Sequence, residues 1–268
     1  MQTIMTKTTE RKKTGLPAIL LLGAVILAFM TSCATMEHRK EDAQRRTAMG
    51  IAYMKSGEYT DALKEFIEAD RMYQSDPTVY YYMGACYYAK GMTDRAADEL
   101  LRAIALDPDY AEAHNYLGMI YLERGDADGA ISEFEKALSN VLYRTPALAL
   151  NNIGIAYYNK KDYKNALDHY FRALDREPNT IILPLIYNNI GRAFMDDGNI
   201  DSALVYFSKA SEIAPTLAEP HYLQGLCHLK KGDFKAALQA LRKAAGTQQG
   251  TEYSTKASEC LKTLTGSP

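Results

Sequence analysis

The residues able to attack, ligate or transfer a proton are few, and their spacing sets up little chemistry. The chain has five histidines and four cysteines in 268 residues. His221, Cys227 and His228 form the nearest approach to a ligand cluster, but a seven-residue gap between histidines is a weak metal spacing. No phosphate-binding glycine loop, HExxH helix, nucleophile elbow or paired CxxC site occurs. His114 and His221 each stand four residues before a recurring glycine, where a packed structural role is expected. Cys227 and Cys260 are candidates for a bridge that would pin the C-terminal segment in an oxidising compartment. The alternative is that Cys86, Cys227 and Cys260 are buried thiols acting as small hydrophobes. An enzyme is not expected, and neither a cofactor, a metal nor a small-molecule substrate is implied. What the side chains offer instead is binding.

The elements that would position a binding face are read from a repeat. Gly50, Gly84, Gly118, Gly154, Gly191 and Gly225 follow one another at 34, 34, 36, 37 and 34 residues. Twelve residues after each comes alanine (Ala62, Ala96, Ala130, Ala166, Ala203, Ala237), and nineteen after comes alanine again. Sixteen after stands Phe66, Leu100, Phe134, Tyr170, Phe207 or Leu241. Small residues at fixed places let two helices approach, and the large side chain fills the space beside them. Gly57, Gly91, Gly125, Gly198 and Gly232 come seven after, suited to the left-handed residue that ends a first helix. Lys161 holds that place in the fourth unit, which predicts a turn slightly strained or differently capped. Pro108, Pro178 and Pro215 fall between units, where a helix must stop.

This pattern resembles the tetratricopeptide repeat (TPR), a helix–turn–helix of 34 residues. The resemblance implies an all-α fold, a right-handed α-solenoid of six repeats over residues 43–250 with a capping helix and tail over 251–268. Ala257, Leu261 and Leu264 are expected on the inner side of that cap. In such a solenoid the first helix of each pair lines a concave groove, so the resemblance points to Ile51, Met54, Tyr81, Tyr88, Asn115, Met119, Leu122, Asn151, Ile155, Tyr158, Asn188 and Arg192 as peptide-binding residues. The stripe is apolar with Tyr and Met, interrupted by a line of asparagines whose amides suit a peptide backbone. Asn152 and Asn189, one place further on, are equal candidates. The competing reading is that Asn merely tolerates an exposed helical place. Only Arg192 is basic in the stripe, which disfavours a ligand held by its C-terminal carboxylate. Two junctions carry insertions, SNVLYRTPALAL and REPNTIILPLIYNN. The second is unusually apolar and is expected to fold back onto the solenoid, a partner contact being the alternative.

The N-terminus reads as an address. Lys7, Arg11, Lys12 and Lys13 precede the apolar stretch Leu16–Met30, which ends Met30-Thr31-Ser32-Cys33. Fifteen residues of helix span ~22 Å, short of the ~30 Å hydrocarbon core of a bilayer. Small residues before a cysteine resemble the lipobox of bacterial lipoproteins, with Met30 a departure from the usual Leu. The resemblance implies that residues 1–32 are a signal peptide that is removed, and that Cys33 is acylated and heads a tether over 33–43. An uncleaved anchor, or a plain signal with a chance cysteine, are the alternatives. Ala34 rather than Asp after the cysteine implies, by enteric-type sorting, an outer-membrane lipoprotein facing the periplasm.

Composition is that of an ordered protein: 47% hydrophobic and 24% charged, with a formal charge of −2. Loss of the leader leaves 27 basic against 32 acidic residues, net −5. That balance argues against nucleic acid and leaves acyl chains, not charge, to hold the protein at a membrane. A lipobox followed by six repeats, with a Tyr and Thr-Pro in the third-to-fourth junction, resembles the type IV pilus pilotin lipoproteins. That resemblance implies a non-enzymatic scaffold whose protein partner is an outer-membrane secretin. The alternative is a TPR lipoprotein adaptor for another envelope machine, serving peptidoglycan enzymes or outer-membrane protein assembly.

Overall fold

The computed structural model describes residues 18–247 and 249–266, with side chains described from Thr35 onward. The basic leader and the Cys33 side chain lie outside these. Among the described residues thirteen α-helices form and no strand. They are α1 (Ala18–Lys55), α2 (Tyr59–Met72), α3 (Pro77–Ala89), α4 (Thr93–Leu106), α5 (Ala111–Glu123), α6 (Ala127–Ser139), α7 (Pro146–Asn159), α8 (Tyr163–Arg176), α9 (Leu183–Asp196), α10 (Ile200–Ile213), α11 (Ala218–Lys230), α12 (Phe234–Gly246) and α13 (Glu252–Thr265). Two compact units divide the chain, residues 1–79 and 80–268.

One contact explains each helical pair. A Cβ built on Gly50 of α1 would lie 2.5 Å from the Phe66 ring of α2. The same holds within the second unit, where Gly118 faces Phe134 at 2.6 Å, Gly154 faces Tyr170 at 2.4 Å and Gly225 faces Leu241 at 2.7 Å. Any side chain at these places would force the helices apart, because a close-packed core has no slack to absorb it. The alanines twelve and nineteen residues after each glycine are fully buried throughout. The turns follow suit: five glycines take positive φ between 72° and 90°, and Lys161 takes 59° in the same role. The strain expected at Lys161 is present. From the third repeat on, the second helix is capped by a side chain: Asp126, Asp162, Asn199 and Asp233 each accept from the backbone N–H three residues ahead.

Three segments differ from the sequence reading. Residues 33–43, expected as a short tether outside the repeats, continue α1 without a break. Their composition favours this, since EHRKEDAQRR holds good helix formers, and His38 stands 3.7 Å from Asp42 at the i,i+4 spacing. The apolar insertion at 181–185 folds back only in part. Ile182 packs on the cluster around Tyr170 and Ile186, while Ile181 is 96% exposed. Leu264 of the cap points outward, although Ala257 and Leu261 pack against Leu241 and Ala244 as expected. The third-to-fourth insertion is divided the same way. Tyr143 is buried beside Phe134 and Ile153, whereas Val141 and Leu142 are 89% and 82% exposed. Among the described residues, no helix is long and apolar enough to cross a membrane.

Candidate binding site

The candidate groove residues lie where the helical register puts them, on the first helix of each pair. In the first unit Ile51 and Met54 sit half-buried on α1. In the second unit Tyr81, Tyr88, Met119, Leu122, Ile155, Tyr158 and Arg192 are likewise half-buried on α3, α5, α7 and α9. Half-burial is what a binding surface needs: the side chains are fixed by neighbours yet keep one side open.

The asparagines behave differently from both sequence readings. Asn115, Asn151 and Asn188 are buried, so they neither offer open amides along a groove nor merely tolerate an exposed place. They pair with the next repeat instead. Asn152 Nδ2 donates to Asn115 Oδ1 at 3.3 Å, and Asn189 Nδ2 donates to Asn151 Oδ1 at 3.0 Å. In the sixth repeat the donor's place is taken by Leu223, and Asn188 Oδ1 is left buried without a hydrogen-bond partner. Asn151 Nδ2 is also unpartnered. Such an atom costs about 1–3 kcal/mol of desolvation.

The tyrosines of the stripe are fastened at their hydroxyls. Tyr88 donates to Glu123, and Tyr158 donates to Asp196. Each acid stands five residues after its glycine, in the repeat after the tyrosine. Burial, then the bonded carboxylate, pushes both phenols above the ordinary range, so both stay protonated donors. Tyr81 packs against Tyr82, Tyr110 and Tyr116 at ring separations of 4.9–5.7 Å. The Arg192 guanidinium lies over the Tyr158 ring, 5.1 Å from its centre, and 3.7 Å from Glu219 Oε1. Glu123 and Asp196 were not singled out from sequence. The available signal was a tyrosine four places after one glycine and an acid five places after the next.

His114 and His221 are structural. His114 Nδ1 contacts Glu133 Oε2 at 2.6 Å, and its Nε2 contacts the Pro108 carbonyl at 2.9 Å. Burial works against the imidazolium, but these two partners outweigh it and the His114 pKa is raised. Glu133 is held below its ordinary value: burial opposes this, and the bonds to His114 and Lys136 prevail. His221 Nε2 contacts the Pro215 carbonyl at 3.2 Å, while its Nδ1 is buried without a partner. Cys86, Cys227 and Cys260 are free thiols, and burial raises the first two to about 11. Among the described residues no three His, Cys, Asp or Glu side chains converge as metal ligands.

Comparison with known proteins agrees with this architecture. Tetratricopeptide-repeat models match residues 47–111, 87–147, 147–180 and 188–252, which is well over half of the sequence. The chain belongs to the tetratricopeptide-repeat family. TPR proteins bind protein partners, and this chain is a scaffold of that kind. DnaJ homolog subfamily C member 7 is 32% identical in Mus musculus and 31% in Homo sapiens, each over 91 residues. That match covers 34% of this chain, and the chain spans only 18% of the length of those relatives. Among solved structures, PilW, a widely conserved type IV pilus biogenesis factor, superposes with a TM-score of 0.73 at 22% identity, over 83% of this chain and 98% of PilW. PilF of Pseudomonas aeruginosa gives 0.70 at 17% identity, over 83% and 99%. YrrB, a TPR protein with an unusual peptide-binding site, gives 0.53 at 23% identity, over 72% and 97%. At these identities the likeness is one of fold.

Proposed function

We propose that this TPR scaffold is a pilotin: a lipoprotein that binds an outer-membrane secretin and carries it to the site where type IV pili are built. The observation that carries the reading is the extent of the likeness to PilW and PilF, which takes in nearly the whole of each of those chains. The leader and the Thr31-Ser32-Cys33 ending add a second, independent support. In this reading acyl chains on Cys33 anchor the protein in the outer membrane, facing the periplasm. The half-buried stripe of Tyr81, Tyr88, Met119, Ile155 and Tyr158 takes a secretin segment. The hydroxyl ties of Tyr88 and Tyr158 keep those rings from rotating away, which lowers the ordering cost of binding.

Deleting the gene is expected to leave secretin as monomers in the inner membrane. Normal secretin multimers in the deletion strain would falsify the pilotin role. Replacing Cys33 by Ala is expected to leave the repeats folded and to move the protein out of the membrane fraction. An unchanged membrane fraction in C33A overturns the lipid anchor.

A further inference from the structure

The ladder of asparagine amides ends at the sixth repeat with an unpaired buried acceptor on Asn188, a residue that lines a cavity. The cavity has a volume of about 220 Å³ and is walled by Pro184, Leu185, Leu217 and Pro220, with Asn188 and Glu219 among its polar lining. Asn188 is 4% exposed, and its Oδ1 has no hydrogen-bond partner. Glu219 Oε1 is buried without a hydrogen-bond partner, its nearest cation being the Arg192 guanidinium 3.7 Å away, which also lies over the Tyr158 ring. Two residues with an acceptor lacking a hydrogen bond therefore line one largely apolar pocket.

We propose that this cavity is a subsite for a lysine or arginine side chain of a bound peptide. The lining settles which donor fits. Its hydroxyls are already committed: Thr251 donates to Ser254, and Tyr253 bonds to the Glu219 carboxylate. A carboxamide or hydroxyl ligand would bring an acceptor with nothing left to satisfy it. A cationic side chain brings donors alone, and its aliphatic stem lies well against proline and leucine. A charged donor to a buried carboxylate is also the stronger hydrogen bond. The subsite rests on reading the first helices as the partner's groove, and it gives that groove a preference the stripe lacks.

The test is a titration of the full-length protein, followed by NMR, with capped pentapeptides Gly-Gly-X-Gly-Gly in which X is lysine, acetyl-lysine or norleucine. The lysine peptide is expected to shift the Asn188 side-chain amide and the backbone of residues 251–253 saturably, and to bind at least ten-fold tighter than the other two. Glu219→Gln should weaken it several-fold. Asn188→Leu, which removes the acceptor, and Leu223→Asn, which satisfies it from within, should each abolish the response. If one variant fails to fold, the other carries the test. Equal binding of norleucine, no saturable shift, or undiminished binding to a folded N188L or L223N overturns the subsite. Failure here with secretin capture intact leaves the pilotin reading standing, and the reverse outcome leaves the subsite standing.

Discussion

Repeats three and six are built to one plan and finish their polar groups differently. In repeat three His114 is held at both ring nitrogens, by Glu133 and by the Pro108 carbonyl. In repeat six His221 keeps the equivalent carbonyl contact to Pro215 but has Ala240 where the acid would stand, and its Nδ1 is orphaned. The asparagine ladder breaks at the same repeat, at Leu223. Both repeats bury one large side chain against their glycine, Phe134 and Leu241, so the sharper difference lies in polar satisfaction. An inner repeat closes its acceptors within the protein. At the end repeat they stay buried without a hydrogen-bond partner.

Four measurements would break or sharpen this contrast. The largest effect is expected from the shared core. Phe134→Ala should cost about 3–5 kcal/mol and Leu241→Ala about 2–5 kcal/mol in denaturant unfolding. If L241A costs almost nothing, repeat six is not packed like repeat three and the contrast is misdrawn. Next come the histidines. Glu133→Ala should cost about 1–3 kcal/mol by orphaning His114, whereas Ala240→Glu should gain about 1 kcal/mol by partnering His221. Opposite signs are the point, and a loss in both would show that the two sites are not equivalent. A smaller effect belongs to the turn between α7 and α8. A left-handed non-glycine residue costs about 1–2 kcal/mol, and glycine returns part of that as unfolded-state entropy. Lys161→Gly should thus gain about 0.5–1 kcal/mol and Gly125→Lys lose a similar amount. A melting temperature lowered by K161G would remove the strain argument.

The smallest effect is in pH. The raised His114 pKa means its contribution is full below the ordinary 6.5 and fades as pH rises through the raised value. The lowered Glu133 pKa means its contribution is full above the ordinary 4.5 and fades as pH falls through the depressed value. Repeat three should therefore gain its extra stability between pH 4.5 and 6.5. The E133Q variant should flatten that profile, and an unchanged profile would assign the pH dependence to other groups.

Much of the fold was legible because the repeat states the same packing requirement six times. A glycine, an alanine twelve further on and a large side chain at sixteen name the two helices and the surface between them. Lys161 was legible for the same reason, as one residue out of line with five glycines. The asparagines were not. Their spacing placed them on the first helix, but the bond from Asn152 to Asn115 spans 37 residues and that from Asn189 to Asn151 spans 38. The glycine spacing placed Asn152 and Asn189 one place along, but did not show that their amides turn to the preceding repeat rather than to a ligand. The halves of each insertion were also hidden, because Ile182 and Ile181 are identical neighbours with opposite fates, and the more apolar Val141 is exposed while Tyr143 is buried.

The unbroken run of α1 through residues 33–43 gives the protein a strut in place of a string. A strut transmits torque and angle, where a string sets only a maximum distance. Ten helical steps separate Cys33 from the start of the first repeat by ~15 Å along the helix axis. They also fix an azimuth, since each residue turns the helix by about 100°. Under lipid anchoring, two residues inserted near Glu37 would raise the first unit by only ~3 Å yet swing it by about 200°, facing it the opposite way.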